Sequence, residues 1–292
     1  MTLRSLLFVP GDRPERMVKA TGLGADALIL DLEDAVAPAA KPAARAAVAE
    51  FVRAHPQPRT CQLFVRVNPL DGGLLADDLA ALAGTAPDGV VLPKAAGAES
   101  IRALAGLLAA QGLAAPILPV ASETAAAVFQ LGSYGAVAGL LAGLTWGAED
   151  LPAAIGASTA READGTYTPV YETVRSLALL GAHAAGVPAI ETVYPAFRDL
   201  AGLAAYAARG RRDGFTGMMA IHPDQIAVIN AAFTPSAEEI AEARRVIAAF
   251  AAEPGAGALQ IDGRMIDRPH LIAAERLLAR AGVGNAFDST GG

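Results

Sequence analysis

Eight times along the chain a short apolar run gives way to an Ala-rich stretch of helical spacing, and this alternation restricts the fold more than any other feature of the sequence. The strand-like runs fall at 4–9, 27–32, 63–67, 89–93, 117–121, 137–143, 189–194 and 218–221. The helical stretches fall at 14–21, 42–54, 74–83, 99–111, 123–132, 171–185, 199–210 and 223–231. Near-continuous apolar strands alternating with helices predict a parallel sheet buried under helices. Eight such units predict that the sheet closes on itself as a (β/α)8 TIM barrel. Pro14 and Pro223 each stand where a helix would begin, a position at which the missing N–H costs little.

The sequence continues past the eighth unit. Ser236 and Glu239 have the spacing of a capping box, and Ile240, Ala243, Val246, Ile247 and Phe250 share one helical face behind them. A Gly/Pro-marked break, EPGAGA, precedes a last amphipathic stretch through Leu271, Ala274, Leu277 and Leu278. None of this is needed to close a barrel. The expected organisation is therefore a barrel domain at 1–232, a C-terminal helical extension at 233–282 and a disordered tail at 283–292.

With 292 residues, 53% of them hydrophobic, the chain can bury a full core without disulfide or metal staples. A formal net charge of −7 argues against nucleic acid or an anionic membrane surface as a general partner. No apolar stretch near the length of a membrane span escapes interruption by charge, Gly or Pro, and the N-terminal run stops too early for a signal peptide. A single cysteine, Cys61, fits a reducing cytoplasm. With no histidine nearby to activate it, Cys61 is read as a buried structural thiol.

Three of the strand-like runs end in carboxylates: ALILDLED (27–34), PILPVASE (116–123) and AGLLAGLTWGAED (138–150). In an α/β barrel the C-terminal strand ends carry the chemistry, so acidic groups from several strands are expected to converge on one rim. Glu123 and Asp150 follow the fifth and sixth runs. Without a His or Cys cluster they make a hard oxygen site suited to Mg²⁺, which keeps waters and completes its shell from an anionic substrate. The plainer reading makes Glu123 a first-turn helix residue favoured by the dipole and Asp150 a turn former. Glu33 and Asp34 extend the rim, either orienting water for catalysis or pairing with cations. Arg66, inside the apolar LFVRVNP, is costly unless its donors are used, by a substrate anion or by Asp31 or Glu33. Lys94 is read as an electrostatic or structural lysine, and His222 as a rim residue capping backbone or lining a channel. The polar, turn-rich stretch 157–169 is long enough for a binding loop or lid. No Gly-x-Gly-x-x-Gly, P-loop or Gly-x-Ser-x-Gly motif stands in a strand–turn–helix context, which weighs against dinucleotide, nucleotide-hydrolysis and serine-hydrolase chemistry.

Taken together, SLLFVPGDRPERM, LILDLEDAV, FVRVN, VVLPKA, SETAAAV, GLTWGAEDLPAAIG, GFTGMMAIHPDQI and GRMIDRPHL resemble, in order and spacing, the citrate lyase β-subunit-like family of coenzyme A ester lyases. The resemblance runs from about residue 3 to about residue 280. It implies a (β/α)8 barrel, a homotrimer or assembly of trimers, and Mg²⁺-dependent cleavage or formation of the C–C bond in a malyl-, citramalyl- or citryl-type thioester. The products would be a 2-oxo acid and an acyl-CoA. It also implies Glu123 and Asp150 as metal ligands, Arg66 as the substrate-binding arginine, and Gly147, Ala148 and Glu149 as a cradle for the 2-oxo acid carboxylate. Arg13 and Lys19 would lie near the coenzyme A phosphates, and Asp267 would be delivered to a neighbouring subunit's site. The chain departs from the pattern at Met218, where many relatives have lysine. A barrel aldolase acting on free 2-oxo acids, a malyl-CoA thioesterase and a non-catalytic CoA-ester-binding subunit are the alternatives.

Overall fold

The computed structural model describes residues 3–282, so the tail expected at 283–292 lies outside the described residues. Eight parallel strands, β1 (Ser5–Pro10), β2 (Ala27–Asp31), β3 (Gln62–Arg66), β4 (Gly89–Leu92), β5 (Ile117–Pro119), β6 (Leu144–Thr145), β7 (Ala189–Glu191) and β8 (Gly217–Ala220), run in the order β5-β4-β3-β2-β1-β8-β7-β6. The two ends of this ladder meet. Isolated parallel bridges Ile117↔Leu141 and Val120↔Thr145 join β5 to the β6 segment, closing the barrel. Around it lie α1 (Pro14–Ala20), α2 (Lys41–Ala54), α3 (Leu75–Leu82), α4 (Ala98–Ala110), α5 (Ala125–Val128), α6 (Leu151–Ile155), α7 (Pro169–Ala185), α8 (Leu200–Asp213) and α9 (Gln225–Phe233). The TIM-barrel expectation is met.

Inward-facing side chains fill the barrel: Leu6, Ala27, Ile29, Phe64, Val91, Leu118, Val120, Ile190 and Met219 pack into one buried cluster. Successive residues of a strand point to opposite faces, so Met219 looks inward while its buried neighbour Met218 looks toward the helices. Position 218, where the resemblance leads one to expect lysine, therefore does not face the barrel interior. Gly89 is required by the core: a Cβ there would come within 2.2 Å of the Phe64 ring.

Two of the expected barrel elements are redrawn by the structure. The run 137–143 is not a strand: a 3-10 segment spans Leu131–Leu140 with a kink at Val137, and regular pairing is confined to Leu144–Thr145. An apolar run broken by Gly135, Gly139 and Gly143 has no β-branched residue but Val137, and its hydrophobicity alone does not distinguish strand from buried turn. The helix expected over 123–132 shrinks to α5: the Thr124 hydroxyl caps its start by accepting from the Ala127 N–H, and the chain passes into the 3-10 segment from Leu131. Glu123 thus precedes the cap and is not a first-turn residue.

Contacts divide the chain into two compact units, Leu3–Asn230 and Ala231 onward. The second unit holds α10 (Ala237–Ala252), started by the Ser236–Glu239 capping box, an antiparallel hairpin of β9 (Ala258–Ile261) and β10 (Arg264–Asp267), and α11 (Arg268–Arg280). Its own core joins Ala243, Val246, Ile247 and Phe250 to Ile266, Ala274 and Leu278. The hairpin was not expected, although Asp262-Gly263, both at positive φ, is the sequence signal for one.

Candidate active site

The C-terminal ends of the strands surround a cavity of about 460 Å³ whose lining includes Phe8, Asp31, Asp34, Arg66, Val120, Glu123, Gly147, Ala148, Glu149, Asp150 and Met219. Register builds its basic corner. Parallel pairing sets Asp31 opposite Arg66, so the last residues of β2 and β3 lie side by side. Asp31 is 1% exposed and accepts Arg66 Nε at 2.7 Å and Nη2 at 2.6 Å, a two-pronged pair, while its oxygens also take the N–H groups of Glu33 and Ala35. Arg66 lies over the Phe8 ring, 4.8 Å from its centre. Burial pulls its pKa down, and the hydrogen bonds and charges of Asp31, with Glu33 and Asp34, more than reverse this and leave it raised. The ion-pair reading of Arg66 holds, and it still presents the side chain to the cavity.

Glu33 is 4% exposed. Its Oε2 lies 2.8 Å from Arg66 Nη1, yet no donor is aimed at that oxygen among the described residues: the contact has the distance of an ion pair without hydrogen-bonding angles. Its Oε1 is 3.4 Å from Lys94 Nζ. Burial raises the Glu33 pKa, opposed by Arg66 and Lys94 and reinforced by Asp34 and Asp31. Lys41, buried in α2, clamps this loop from behind by donating to the Leu32 and Glu33 carbonyls and to Asn68 Oδ1.

Opposite this corner, Glu123 and Asp150 enter the cavity from either side of the β5–β6 closure. Glu123 is 5% exposed, and its Oε2 accepts the backbone N–H of Lys94. Burial lifts its pKa to about 8, with the Lys94 hydrogen bond pulling down and the charges of Asp150 and Glu33 pushing further up. Asp150 stands at the N-cap of α6 without spending its side chain on the cap. The turn between them is tightly packed: a Cβ on Gly147 would lie 2.6 Å from Glu123 Cγ, so only glycine lets this backbone approach the carboxylate.

That turn is held from outside the cavity. Trp146, fully buried, donates Nε1–H to Glu191 Oε1 at 2.6 Å, and Glu191 also accepts Arg175 Nε at 2.7 Å and its neighbour Thr192 N–H at 3.0 Å. Arg175 in turn reaches Asp213 at 2.7 Å. The stretch expected to form a lid is tied to the same turn: Tyr167 packs edge-on against Trp146 at 5.2 Å, and Arg161 bonds the Tyr167 hydroxyl and pairs with Glu149 at 3.7 Å.

The remaining residues singled out in the sequence lie elsewhere. Lys19 lines a second cavity of about 380 Å³ with Arg16 and His222, whereas Arg13 is exposed beside Asp12. Asp267 belongs to the second unit, where its carboxylate pairs with His270 Nδ1 at 2.5 Å at the start of α11. Sequence reasoning missed Lys41, Glu191 and the backbone role of Lys94. Only Lys94 carried a signal, as the residue after a strand-ending proline.

The donor set fits one kind of metal. Among the described residues no three His, Cys, Asp or Glu side chains form a cluster able to hold an ion by themselves, so a protein-only cage of the zinc type does not fit. Two carboxylates facing a cavity, one buried at a pKa that an added cation would lower, fit a hard ion that takes its other oxygens from water and ligand. Fold and site together define a (β/α)8 barrel that brings Glu123, Asp150 and Arg66 to one cavity at its C-terminal face. The family model for HpcH/HpaI aldolase/citrate lyase matches residues 4–223, and the chain belongs to that family.

A citrate lyase subunit beta-like protein of Mycobacterium tuberculosis is 42% identical over 276 residues, 94% of each chain. A (3S)-malyl-CoA thioesterase of Cereibacter sphaeroides is 36% identical over 98% of this chain and 97% of its own. The crystal structure of CitE from M. tuberculosis in complex with magnesium, acetoacetate and coenzyme A is similar with a TM-score of 0.81 and 41% identity, covering 96% of this chain and 98% of that one. Among the described residues no helix is long and apolar enough to cross a membrane.

Proposed function

We propose that this chain is a Mg²⁺-dependent acyl-CoA lyase that cleaves or forms the C–C bond of a malyl-, citramalyl- or citryl-type thioester. The observation that carries this reading is the meeting of Glu123, Asp150 and Arg66 in one cavity at the strand ends. The similar CitE bound to magnesium, acetoacetate and coenzyme A supports the choice of ligands.

Held by Glu123 and Asp150, Mg²⁺ would supply a Lewis acid for the hydroxyl and carboxylate of the substrate. Gly147, Ala148 and Glu149 would cradle that carboxylate through the turn that Trp146 anchors. Arg66, fixed by Asp31, is a preorganised donor for the oxygen of the thioester enolate released as the bond breaks. Glu33 and Asp34 would orient water at the rim. Asp267, reaching the site from a second copy of the chain in a homotrimer, would protonate the enolate carbon or remove the proton in the reverse direction. Lys19 and Arg16, beside the second cavity, carry charge suited to coenzyme A phosphates.

Malyl-CoA thioesterase activity is the second reading, favoured by the 36% identical relatives of that name. One assay separates the two. Malyl-, citramalyl- and citryl-CoA are incubated with Mg²⁺, and 2-oxo acid and free thiol are scored independently. A lyase releases 2-oxo acid with the thioester intact in the acyl-CoA product; a thioesterase adds stoichiometric thiol. Absence of 2-oxo acid from all three substrates, or activity that survives Glu123→Ala with Asp150→Ala, refutes the lyase. Sharing of sites between copies predicts partial recovery when Asp267→Asn and Arg66→Ala chains are mixed.

A further inference from the structure

Two non-glycine residues among those described hold left-handed backbone, Asp262 and Lys94. Asp262 is explained by its hairpin. Lys94, at φ 51°, follows Pro93 at the end of β4, in the place where a proline-led turn ordinarily uses glycine or asparagine. A side chain kept at a strained position on the C-terminal face of a barrel points to use. Its two ends meet two different carboxylates. The backbone N–H is aimed at Glu123 Oε2, and Nζ lies 3.4 Å from Glu33 Oε1. The side chain is 39% exposed, and its ammonium lies within the field of Glu33, Asp150 and Asp34.

We propose that Lys94 is a positioning residue of this rim: its main-chain N–H fixes Glu123, and its ammonium balances Glu33, Asp34 and Asp150 so that a divalent cation and an anionic 2-oxo acid can share the site. The inference rests on the Mg²⁺ reading given above. It has a signature that a merely structural lysine lacks. An ammonium beside the site repels the cation and attracts the anion, so removing it moves the two affinities in opposite directions. Loss of packing or of local fold would weaken both.

The test is titration calorimetry of the full chain with Mg²⁺ alone, and with pyruvate at saturating Mg²⁺. Lys94→Met is expected to bind Mg²⁺ about threefold tighter and pyruvate about fivefold weaker, modest factors because the group is partly solvated. Lys94→Arg keeps the charge and should stay within about twofold of the wild type for both ligands. Lys94→Gly keeps the N–H and relieves the backbone, so it should match Lys94→Met in binding while unfolding at no lower urea concentration than Lys94→Ala. Both affinities falling together, or neither moving, in Lys94→Met overturns the proposal while leaving the metal reading intact. A wild-type chain that binds no Mg²⁺ overturns both.

Discussion

Glu191 offers a measurable test of how the turn at Trp146–Asp150 is held. The carboxylate has no exposed surface and accepts from Trp146, Arg175 and Thr192. Arg175 is 2% exposed, and one of its terminal nitrogens has no hydrogen-bond partner among the described residues, so the pair is buried without being fully satisfied there. Breaking such a pair from one side leaves an uncompensated charge, at about 3–5 kcal/mol. Asp213 still holds Arg175 at 2.7 Å, which places the cost of that charge near the lower end. The Trp146 N–H, left without an acceptor, adds about 1 kcal/mol or more. Glu191→Ala is therefore expected to cost about 4 kcal/mol, and Glu191→Gln, which keeps an acceptor for Trp146, about 3 kcal/mol. Exchanging both partners for apolar residues, Arg175→Met with Glu191→Leu, should cost less than either single change, because no charge is stranded. Trp146 is the only tryptophan in the sequence, so urea unfolding followed by its emission reports on this turn directly. Single variants that lose less than about 1 kcal/mol, or a double variant whose loss equals the sum of the singles, would refute the account.

Three further outcomes are expected. Gly147→Ala places a methyl 2.6 Å from Glu123 Cγ and should weaken Mg²⁺ binding at least about tenfold by calorimetry, with little loss of helix content by circular dichroism. Arg66→Lys keeps a charge but breaks the two-pronged pair with Asp31, and should lower kcat about 100-fold with a smaller change in KM, read from steady-state release of 2-oxo acid. Burial, with Asp26 and Asp88 nearby, pushes the Cys61 thiol from 9.0 up to about 11. At pH 9 an ordinary thiol is half ionised and Cys61 about 1%, so native protein should react with iodoacetamide some fiftyfold more slowly than urea-unfolded protein, and equal rates would contradict its burial.

The residues that fail to announce themselves in the sequence fail for physical reasons. Strands such as ALILD and GVVL are legible because burial on both faces demands uninterrupted apolar character, and their count is what makes the barrel readable. β6 is not, because a two-residue strand has no periodicity to show. Glu123 and Asp150 stand out as acids directly after apolar runs. The partner of Arg66 is not fixed by either run alone, since it depends on the register that sets Asp31 opposite it. Glu191 lies unremarked inside the seventh strand-like run, and its role shows only where Arg175, from α7, and Trp146, from the preceding unit, converge on it. The left-handed backbone of Lys94 is set by a tertiary acceptor, Glu123, that lies 29 residues further along.

The place where the barrel closes has a mechanical consequence. Seven strand pairs are joined by continuous ladders, whereas β5 and the β6 segment are joined only by isolated bridges. Two of the acids lining the cavity flank this seam, Glu123 following one side and Asp150 the other. Anything that grips both carboxylates at once therefore works as a rivet across the joint that lacks a continuous ladder. Occupancy and structural integrity become one quantity at this point, and the amides that span the seam, Ala121 and Ala142, are where a gain in stiffness would be felt first.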